Sequence, residues 1–562
     1  MQVFAFFLAV FIATNSVGAS AEREIVINKE YLRFPKSFFV DPRQDAKDQR
    51  TIDFIVDNKI ARRELMSLAD NKPDYWAYLD VGEFKGKPVV LKIDDLPESS
   101  KALSNIYQDD TALDENGIYR EQWRPQFHYT VKRGWLNDPN GLLYYKGEYH
   151  LFYQNNPLGT FLGGYAHWGH AIGTDLVHWT ELPQAIYPGE SGHIFSGSGV
   201  VDWNNTTGFK TGPDDPMVVA YCAPIPMQQE IAFSTDRGRT WRKYQGNPVL
   251  PRFAKNNGDP KIFWYEPTRR WIMISTFPKE NYGFFSSPNL KDWKLEQIVS
   301  LPGSECPDFF SLQVVGQETR KWVLTTNPLT YFTGDYDGHI FKPDPGPGQR
   351  LDWGFCYHSA QTFNEVPAAD GRRIQIAWMQ DVASAFYHQT LFNEQMSFPA
   401  VLTLHQVPEG LRVYREPIKE VEKLHDGEQS WTNLPLNPGE NPLSEVKGDL
   451  FDIRAEIEMG TASDCGFSIR GVPINYSAKE KKLSLLGNIA PLEPVEGRIT
   501  LQILVDRTSL EVFGNHGQVS ITSYFTPKSG AKDIEAFSRN GFVKIVSMNV
   551  FKLRSIWTHA NR

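Results

Sequence analysis

The chain has 562 residues, and its 67 Asp and Glu outnumber 58 Lys and Arg to give a formal net charge of -9. A negative chain without a Lys or Arg cluster argues against a nucleic-acid partner. A hydrophobic fraction of 41% is that of a globular protein. Because a single core stops growing near about 250–300 residues, the length predicts more than one domain.

The N-terminus carries the pattern of a secretory signal. Residues 2–17 are an apolar run without a charged side chain, and small residues follow at 18–21. The run is too short for a comfortable membrane span, and its small-residue end suits a cleavage site. We therefore predict a signal peptide over 1–21 and a secreted protein, or a periplasmic one if the source is bacterial. No later segment is predicted to span a bilayer.

The next segment, residues 22–118, is rich in short alternating runs. Strands are predicted at 24–28, 51–56, 75–81 and 88–93. Turn-forming residues separate the later runs, which indicates a small antiparallel β-sandwich. Both a sugar-binding role and a structural role fit it, and we favour the structural role. The polar stretch 109–124 is predicted to be a linker.

Three segments place a carboxylate at the head of a strand-like run. Asp138 lies in the Trp-Leu-Asn-Asp-Pro-Asn-Gly sequence of 135–141, Asp259 precedes Pro260, and Glu305 precedes Cys306. Proline restricts the residue before it, and Asn-Gly favours a tight turn. Three carboxylates so placed suit a retaining glycosidase, with a nucleophile, a general acid/base and a group that binds sugar hydroxyls.

These segments resemble the three signature motifs of glycoside hydrolase family 32, which holds invertases, inulinases, levanases and fructosyltransferases. The first and third motifs match closely, whereas Gly258 stands where the family has the Arg of Arg-Asp-Pro. The resemblance implies that Asp138 is the nucleophile, Glu305 the acid/base and Asp259 a binder of fructose hydroxyls. It implies no metal and no organic cofactor. The N-terminal module also resembles the one that precedes the catalytic domain in some bacterial levanases.

The resemblance extends to the walls of the pocket. Amide groups there would bond sugar hydroxyls, and aromatic rings would pack on the apolar face of the sugar. Residues 335–337 resemble a pocket wall less specifically. Phe309, Phe310 and Cys306 are candidates for a setting that raises the pKa of Glu305. The residues matched as substrate-binding are Asn137, Gln154, Trp168, Phe195, Ser196 and Trp378.

An internal repeat runs through residues 119–405, which we assign to the catalytic domain. Residues 173–179, 234–241 and 286–293 are variants of one turn that follows a β-rich strand and ends in Trp. They recur every roughly 50–60 residues, the spacing of one four-stranded propeller blade. About 280 residues at this period predict roughly five blades, in agreement with the resemblance. A propeller brings its innermost strand starts to one funnel, where the three carboxylates are predicted to converge.

The remaining residues, 406–562, predict a second β domain. Residues 407–410 and the charged run 416–425 look like a connector, and regular alternation follows at 451–458, 499–506 and 509–513. This alternation indicates a two-sheet sandwich. The complete prediction is an all-β chain with an N-terminal module, a five-bladed propeller and a C-terminal sandwich.

The cysteines and histidines give weaker signals. Cys306 is predicted to stay reduced, whereas Cys222, Cys356 and Cys465 could pair in ways that the sequence leaves open. No Cys/His cluster has zinc spacing. His167 and His170 come nearest to a metal site, and pocket-lining histidines are the better interpretation.

The leading hypothesis is a secreted β-fructosidase that hydrolyses fructan or sucrose, with fructan favoured. One alternative is a fructosyltransferase, which would share the three carboxylates. Another is a non-catalytic fructan-binding propeller, which Gly258 supports and the intact Asp138 and Glu305 oppose. An arabinan-cleaving five-bladed glycosidase fits the architecture but not the motifs. Arg252 or Lys255 could replace the missing Arg; linkage preference, cleavage mode and oligomeric state stay open.

Overall fold

The structure is a computed structural model, and its chain divides into two compact units, Met1–Leu113 and Asp114–Arg562. The predicted signal peptide lies almost wholly outside the described residues. None of the helices in those residues has the length and apolar character that a membrane span needs. The described residues are 20–37, 48–97, 99–111, 117–160, 164–252, 254, 257–380, 390–528 and 530–557.

The first unit consists of two antiparallel sheets. Their apolar faces meet inside, where the rings of Phe34 and Phe54 lie 6.3 Å apart. The unit also has a 3-10 turn at Gly82–Phe84 and a short helix, Ala102–Asn105. The strands are β1 (Ala21–Val26), β2 (Tyr31–Lys36), β3 (Gln49–Val56), β4 (Lys59–Ser67), β5 (Tyr75–Asp80), β6 (Pro88–Ile93) and β7 (Tyr107–Asp109). One sheet has the order β1-β6-β3-β4 and the other β5-β2-β7.

The second unit begins with the predicted propeller. Its strands are β8 (Gly134–Tyr145), β9 (Glu148–Asn156), β10 (His167–Gly173), β11 (Thr180–Ile186), β12 (Gly197–Val201), β13 (Met217–Pro224), β14 (Met227–Ser234), β15 (Arg242–Lys243), β16 (Lys261–Tyr265), β17 (Arg270–Phe277), β18 (Asn281–Ser287), β19 (Lys294–Ser300), β20 (Asp308–Gln313), β21 (Arg320–Thr326), β22 (Thr330–Tyr336), β23 (Phe341–Pro343), β24 (Gln349–Arg350), β25 (Tyr357–Thr362), β26 (Arg373–Met379), β27 (Phe392–Asn393), β28 (Gln395–Met396), β29 (Ala400–Val407) and β30 (Gly410–Pro417). A 3-10 turn, Glu266–Thr268, links β16 to β17.

Five sheets form the blades, and their innermost strands are β8, β12, β16, β20 and β25. Side chains tie these strands to one another around the centre. The Asn364 amide donates to the carbonyls of Gly199 at 2.8 Å and Ile262 at 2.9 Å. The buried Lys261 ammonium lies 2.7 Å from the Asp308 carboxylate. Strand β27 pairs in parallel with β8, so a segment that follows the fifth blade's second strand joins the first blade.

The predicted repeat of turns occupies the same place in three blades. Each joins the third strand of a blade to the fourth, between β10 and β11, β14 and β15, and β18 and β19. One residue of each turn has a left-handed backbone: Leu176 at φ 65°, Arg237 at φ 60° and Leu290 at φ 61°. An Asp or Asn side chain just before that residue accepts backbone N–H bonds from later residues of the turn, as Asx turns do; these are Asp175, Asp236 and Asn289.

Parts of both predicted connectors, among the described residues, belong to packed structure. Residues 407–410 are the turn of the hairpin β29–β30, so the fifth blade extends to Pro417, beyond the predicted boundary at 405. The turn-forming Pro408 and Gly410 made this segment look like a linker. In the other predicted linker, Arg124 is fully buried and donates to the Val131 carbonyl at 2.5 Å, so it belongs to the second unit.

A 3-10 segment, Lys419–Leu424, leads to the C-terminal sandwich. Its strands are β31 (His425–Leu436), β32 (Phe451–Glu458), β33 (Asp464–Ile469), β34 (Val472–Ser477), β35 (Lys482–Leu485), β36 (Asn488–Pro491), β37 (Arg498–Val505), β38 (Ser509–Gly514), β39 (Val519–Tyr524), β40 (Ile534–Arg539) and β41 (Val543–Leu553). They form sheets in the orders β31-β41-β32-β37-β38-β39 and β36-β35-β34-β33-β40, with a large apolar core between them. All four cysteines of the chain are buried thiols, so Cys222, Cys356 and Cys465 do not form a disulfide with one another.

A buried charge network joins the propeller to the sandwich. His128 Nδ1 lies 2.8 Å from Asp506 Oδ2, and its Nε2 lies 2.9 Å from Glu511 Oε1. Arg415 donates to Asp352 at 2.5 Å and reaches Glu511 at 3.5 Å. All five side chains are essentially without solvent contact. We call these five residues the His128 network.

Candidate active site

The five innermost strands begin at the same end of the propeller, and each blade delivers polar groups there. The first blade supplies Asp138 within β8, and the second supplies Ser196 just before β12. Asp259 precedes β16 in the third blade, and Glu305 precedes β20 in the fourth. Ser359 lies in β25 of the fifth. The predicted convergence is therefore found, and we call this place the funnel.

Asp138 is the most heavily bonded carboxylate of the funnel. Ser196 Oγ donates to its Oδ2 at 2.5 Å, and Cys306 Sγ lies 3.4 Å from the same oxygen. Gln154 donates to Ser196 Oγ at 2.6 Å and reaches Asp138 at 3.5 Å. The Ser359 hydroxyl is a further donor to this carboxyl. Donors from four of the five blades thus hold one carboxylate in place.

Asp259 is linked to the same centre through the fourth blade. Its Oδ2 accepts the backbone N–H of Cys306 at 3.2 Å. Asp259, Cys306 and Ser359 all have left-handed backbones, with φ of 52°, 47° and 49°. Side chains other than Gly rarely adopt this conformation, and such residues concentrate at functional sites. Three residues of the funnel therefore share a backbone conformation that is otherwise found mainly in turns of this chain.

Glu305 differs from the two aspartates in its surroundings. Its side chain is exposed, and its Oε1 accepts a bond from Asn327 Nδ2 at 2.9 Å. Phe309 and Phe310, which the sequence suggested as its apolar setting, instead pack inside the propeller, where Phe309 stacks on Trp322 at 4.7 Å. Because strand residues alternate in direction, neighbours in sequence are poor guides to a setting at a strand start.

The two aspartates hold protons more tightly than ordinary carboxyls do. Burial, opposed by the Ser196 bond and supported by the nearby Glu305, raises the pKa of Asp138 to about 6. Burial and the charges of Glu305 and Asp138 raise the pKa of Asp259 to about 7. Like charges at one site disfavour each other's ionisation. No ion pair with these three carboxyls occurs among the described residues.

Gly258 occupies a position with room for a side chain. Its N–H donates to Thr276 Oγ1 at 3.0 Å, and its carbonyl accepts from Ser275 Oγ at 2.8 Å. A Cβ there would lie 3.5 Å from Thr276 Oγ1 and 3.6 Å from Cys222 Sγ, both ordinary contacts. Arg252, one suggested replacement for the missing Arg, is exposed, and Lys255 lies outside the described residues.

Three predicted binding residues surround Asp138. Asn137 Oδ1 accepts the backbone N–H of Asp138 at 2.6 Å, which fixes the turn that carries the carboxylate. Gln154 and Ser196 form the bonded chain described above. Phe195 is half-buried, and its ring lies 5.0 Å from that of His193. The sequence motifs therefore located residues that meet in space.

The two predicted tryptophans lie deeper than a sugar contact requires. Trp168 is fully buried, and its Nε1 donates to the Phe195 carbonyl at 3.0 Å, so it supports the funnel wall from behind. Trp378 is 7% exposed and donates to Glu394 at 2.5 Å. Residues 335–337 end the third strand of the fourth blade, at the opposite end of the propeller from the funnel, so they are not a pocket wall.

His167 and His170, which the sequence suggested as pocket-lining histidines, are also buried inside the propeller. His170 Nε2 lies 3.0 Å from His150 Nδ1 inside the first blade, and burial lowers the pKa of His170. The interpretation of His170 as pocket-lining is therefore wrong. The described residues contain no group of three or more His, Cys, Asp or Glu side chains that could hold a metal ion.

Sequence reasoning missed two residues that touch the carboxyls. Ser359 bonds Asp138, and Asn327 bonds Glu305, yet neither belongs to a motif that carries a charge. Their signal was positional. Ser359 lies in the first strand of the fifth blade, one of the two blades without a recognised carboxylate, and Asn327 lies in the turn after the second strand of the fourth.

Comparison with known proteins identifies a family with which this chain shares its sequence. The profile described as "Glycosyl hydrolases family 32 N-terminal domain" matches residues 128–417, and that described as "Glycosyl hydrolases family 32 C terminal" matches residues 420–552. A levanase of Bacillus subtilis (strain 168) is 39% identical in an alignment of 490 residues. The alignment covers 79% of this chain and 72% of the levanase. An extracellular exo-inulinase of Aspergillus awamori is 29% identical over 78% of this chain and 96% of its own length.

Solved structures show the same architecture. The exo-inulinase of Aspergillus awamori superposes with a TM-score of 0.71 at 27% identity, covering 78% of this chain and all of that one (100%). A fructofuranosidase of Schwanniomyces occidentalis, complexed with fructose, superposes with a TM-score of 0.69 at 27% identity over 78% of this chain and 99% of its own.

Proposed function

The chain belongs to glycosyl hydrolase family 32, and from this membership we propose that it is a secreted β-fructosidase that hydrolyses β-fructofuranosidic bonds of fructans or sucrose with retention of configuration. The observation that carries the proposal is the meeting of Asp138, Asp259 and Glu305 at one funnel, with Ser196, Cys306 and Gln154 aimed at Asp138. The named relatives are levanases and exo-inulinases.

The contacts of Asp138 suit a nucleophile. Hydrogen bonds to a carboxylate favour its charged form and fix its orientation. Asp138 would attack the anomeric carbon of the fructosyl unit and form a covalent fructosyl-enzyme. The Ser196 and Cys306 donors both contact Oδ2, so they orient the carboxylate without neutralising it, because neither is a cation. Above pH 6 the carboxyl would be largely ionised and ready to attack.

Glu305 suits the general acid/base. It would give its proton to the leaving oxygen and then take one from the water that hydrolyses the intermediate. Its exposure gives both the leaving group and the water access to the carboxyl, and the single bond from Asn327 leaves one oxygen free of described partners. Asp259 would bond fructose hydroxyls and so stabilise the transition state.

Gly258 is the observation that favours a rival. A missing charged donor, worth about 1.5–3 kcal/mol, could slow the reaction by ten- to over a hundredfold. A fructan-binding protein without activity would tolerate that loss. The dense bonding of Asp138 argues for catalysis, because binding alone needs no carboxylate that is held in one orientation. A fructosyltransferase would share every contact named and would differ in its acceptor.

Secretion is the remaining part of the proposal. The apolar run at 2–17 and the small residues after it support an export signal. The Aspergillus awamori relative is named an extracellular exo-inulinase. The prediction is checked by the N-terminal sequence of the protein recovered from culture medium, which should begin near residue 20 or 22.

The hydrolase proposal is tested with the purified protein and sucrose, inulin and levan in separate reactions. Free fructose should appear over time and should fall to background in Asp138→Ala and Glu305→Ala. Asp335→Ala is a matched control, because Asp335 is an exposed acid at the far end of the propeller. Retention is checked by following which fructose anomer appears first by NMR.

Three results would change the conclusion. Products longer than the substrate would identify a transferase. No product from any substrate, together with measurable fructan binding, would leave the non-catalytic binder. Fructose release that survives in Asp138→Ala would remove Asp138 from the mechanism.

A further inference from the structure

The funnel mouth carries an exposed apolar residue on its second blade. Because β12 begins at the funnel, its antiparallel neighbour β13 ends there, and the two-residue turn between β13 and β14 lies at the same end. Ile225 is the first residue of that turn and is 60% exposed. An exposed isoleucine needs no explanation by itself, but this one adjoins a line of rings that begins beside the nucleophile.

That line runs outward from Ser196, which bonds Asp138. The ring of Phe195 lies 5.0 Å from the ring of His193, and His193 lies 4.8 Å from Tyr165 in an edge-to-face contact. The three side chains are half-buried, so each keeps a face toward solvent.

The geometry of His193 fixes its hydrogen-bonding role. The backbone N–H of Ala166 donates to His193 Nδ1 at 3.1 Å, so that nitrogen holds a lone pair. Burial lowers the pKa of His193 to about 4, which keeps the ring neutral with its proton on Nε2. His193 therefore presents a single N–H donor between two aromatic rings, a combination suited to a sugar hydroxyl beside an apolar sugar face.

Gly192 joins Ile225 to this line. A Cβ at Gly192 would lie 3.4 Å from Ile225 Cδ1 and 3.6 Å from Tyr165 Cε1, so both side chains border the space over this glycine. The neighbouring backbone is pinned, since Ile194 N–H bonds the Ala166 carbonyl at 2.8 Å and Phe195 N–H bonds the Cys222 carbonyl at 2.9 Å. The surface is thus held in shape before any ligand arrives, which reduces the entropy lost on binding.

We propose that Phe195, His193, Tyr165 and Ile225 form a platform for the sugar units beyond the fructose at the carboxylates, which makes chains of three or more units the preferred substrate class. The platform rests on the proposed β-fructosidase activity and deepens it. Phe195 borders the fructose, His193 donates to the next unit, and Tyr165 with Ile225 supports the third. A disaccharide such as sucrose ends before Ile225.

The test compares kcat/KM on sucrose with kcat/KM on fructosyl trisaccharides and longer fructans. Ile225→Ala should lower kcat/KM for three or more units about fivefold and change the sucrose value by less than about twofold, as expected for one apolar contact. His193→Phe keeps an aromatic ring and removes the donor to the second unit, which every one of these substrates has, so it should lower kcat/KM for sucrose and for the longer chains to a similar extent. Because Ile225 is exposed, its variant should fold normally.

Phe355→Ala is the matched control. Phe355 is 53% exposed just before the innermost strand of the fifth blade, on another wall of the funnel mouth. It should not change the ratio of trisaccharide to sucrose activity. The platform is overturned if Ile225→Ala leaves that ratio unchanged while the wild type is active, or if Phe355→Ala alone changes it. A wild type without hydrolysis would refute the proposed activity; calorimetric binding of the trisaccharide would then decide the platform, which predicts weaker binding by Ile225→Ala.

Discussion

Two clusters in the second unit each hold three carboxyl groups, and they differ in what compensates the charge. In the funnel, Asp138, Asp259 and Glu305 come together without an ion pair among the described residues. Their neighbours are the neutral donors Ser196 and Cys306. The result is a raised pKa for both aspartates.

In the His128 network the carboxyls have cationic partners. His128 lies between Asp506 and Glu511, and Arg415 bonds Asp352. The pKa values of Asp506 and Glu511 are lowered against their burial by the bonds from His128. The comparison shows that buried acids are paired with cationic side chains where the propeller contacts the C-terminal sandwich. The funnel holds its acids without a cation among the described residues, which suits the proton transfer and nucleophilic attack that we propose for them.

The largest expected effect separates activity from stability in the funnel. Asp138→Asn should lower kcat/KM by about a thousandfold or more, because the amide cannot form the fructosyl-enzyme. Its free energy of unfolding at pH 7 should be unchanged or higher, since a buried acid with a raised pKa is costly when ionised. Fructose release and urea unfolding measure the two quantities. A variant that loses both would show that Asp138 also holds the fold together.

The opposite pattern is expected in the His128 network. His128→Ala leaves Asp506 and Glu511 buried without their shared partner, and breaking a buried pair in this way costs about 3–5 kcal/mol of unfolding free energy. Folded protein should retain most of its kcat. His425→Ala is the control, because His425 is partly exposed in its pair with Asp452 and should cost about 1 kcal/mol or less. Equal costs for the two variants would contradict the adhesive role of the network.

The same network predicts how stability depends on alkaline pH. Burial lowers the pKa of His128, but the hydrogen bonds that its ring donates to Asp506 and Glu511 outweigh burial and raise this pKa from 6.5 to about 9. A group with a raised folded pKa contributes its full stability below the unfolded pKa and loses it as pH rises through the folded one. The free energy of unfolding should therefore fall by roughly 3 kcal/mol between pH 6.5 and about pH 9.5. Urea midpoints across this range should fall less in His128→Gln, and equal slopes would exclude His128 as the source.

The sequence predicted what local patterns encode. The Trp-ending turns at 173–179, 234–241 and 286–293 have one geometry, because an Asx side chain and a left-handed residue recur in each. That periodicity was enough to predict the blades, and from the blades the convergence of Asp138, Asp259 and Glu305 at one end of the propeller. The periodicity could not predict how side chains of neighbouring blades pack against one another. Trp168 reads as a pocket residue in the motif and is fully buried in the fold.

Long-range charge pairing was equally invisible. His128 and Asp506 are 378 residues apart in the chain, and the sequence around either residue does not indicate that the other is its partner. A clue did exist: Asp506 directly follows the apolar end of β37, Glu511 lies between Leu510 and Val512 in β38, and an acid buried at either position requires a partner. The partner's identity depends on how the sandwich meets the propeller, which a single sequence does not specify.

The smallest expected effect comes from giving the funnel a cation. Gly258→Arg would place a guanidinium close to Asp259, and an opposite charge nearby lowers a carboxyl pKa. Loss of kcat/KM toward acid, expected near the Asp138 pKa of about 6, should then move to lower pH by about one unit. Gly258→Ala adds only a Cβ at ordinary contact distance and should leave the profile unchanged. If the Arg variant keeps the wild-type pH profile of kcat/KM, its guanidinium does not reach the carboxyls. If the pH profile of the Ala variant also shifts, the backbone around Gly258 sets that profile, and the missing charge does not.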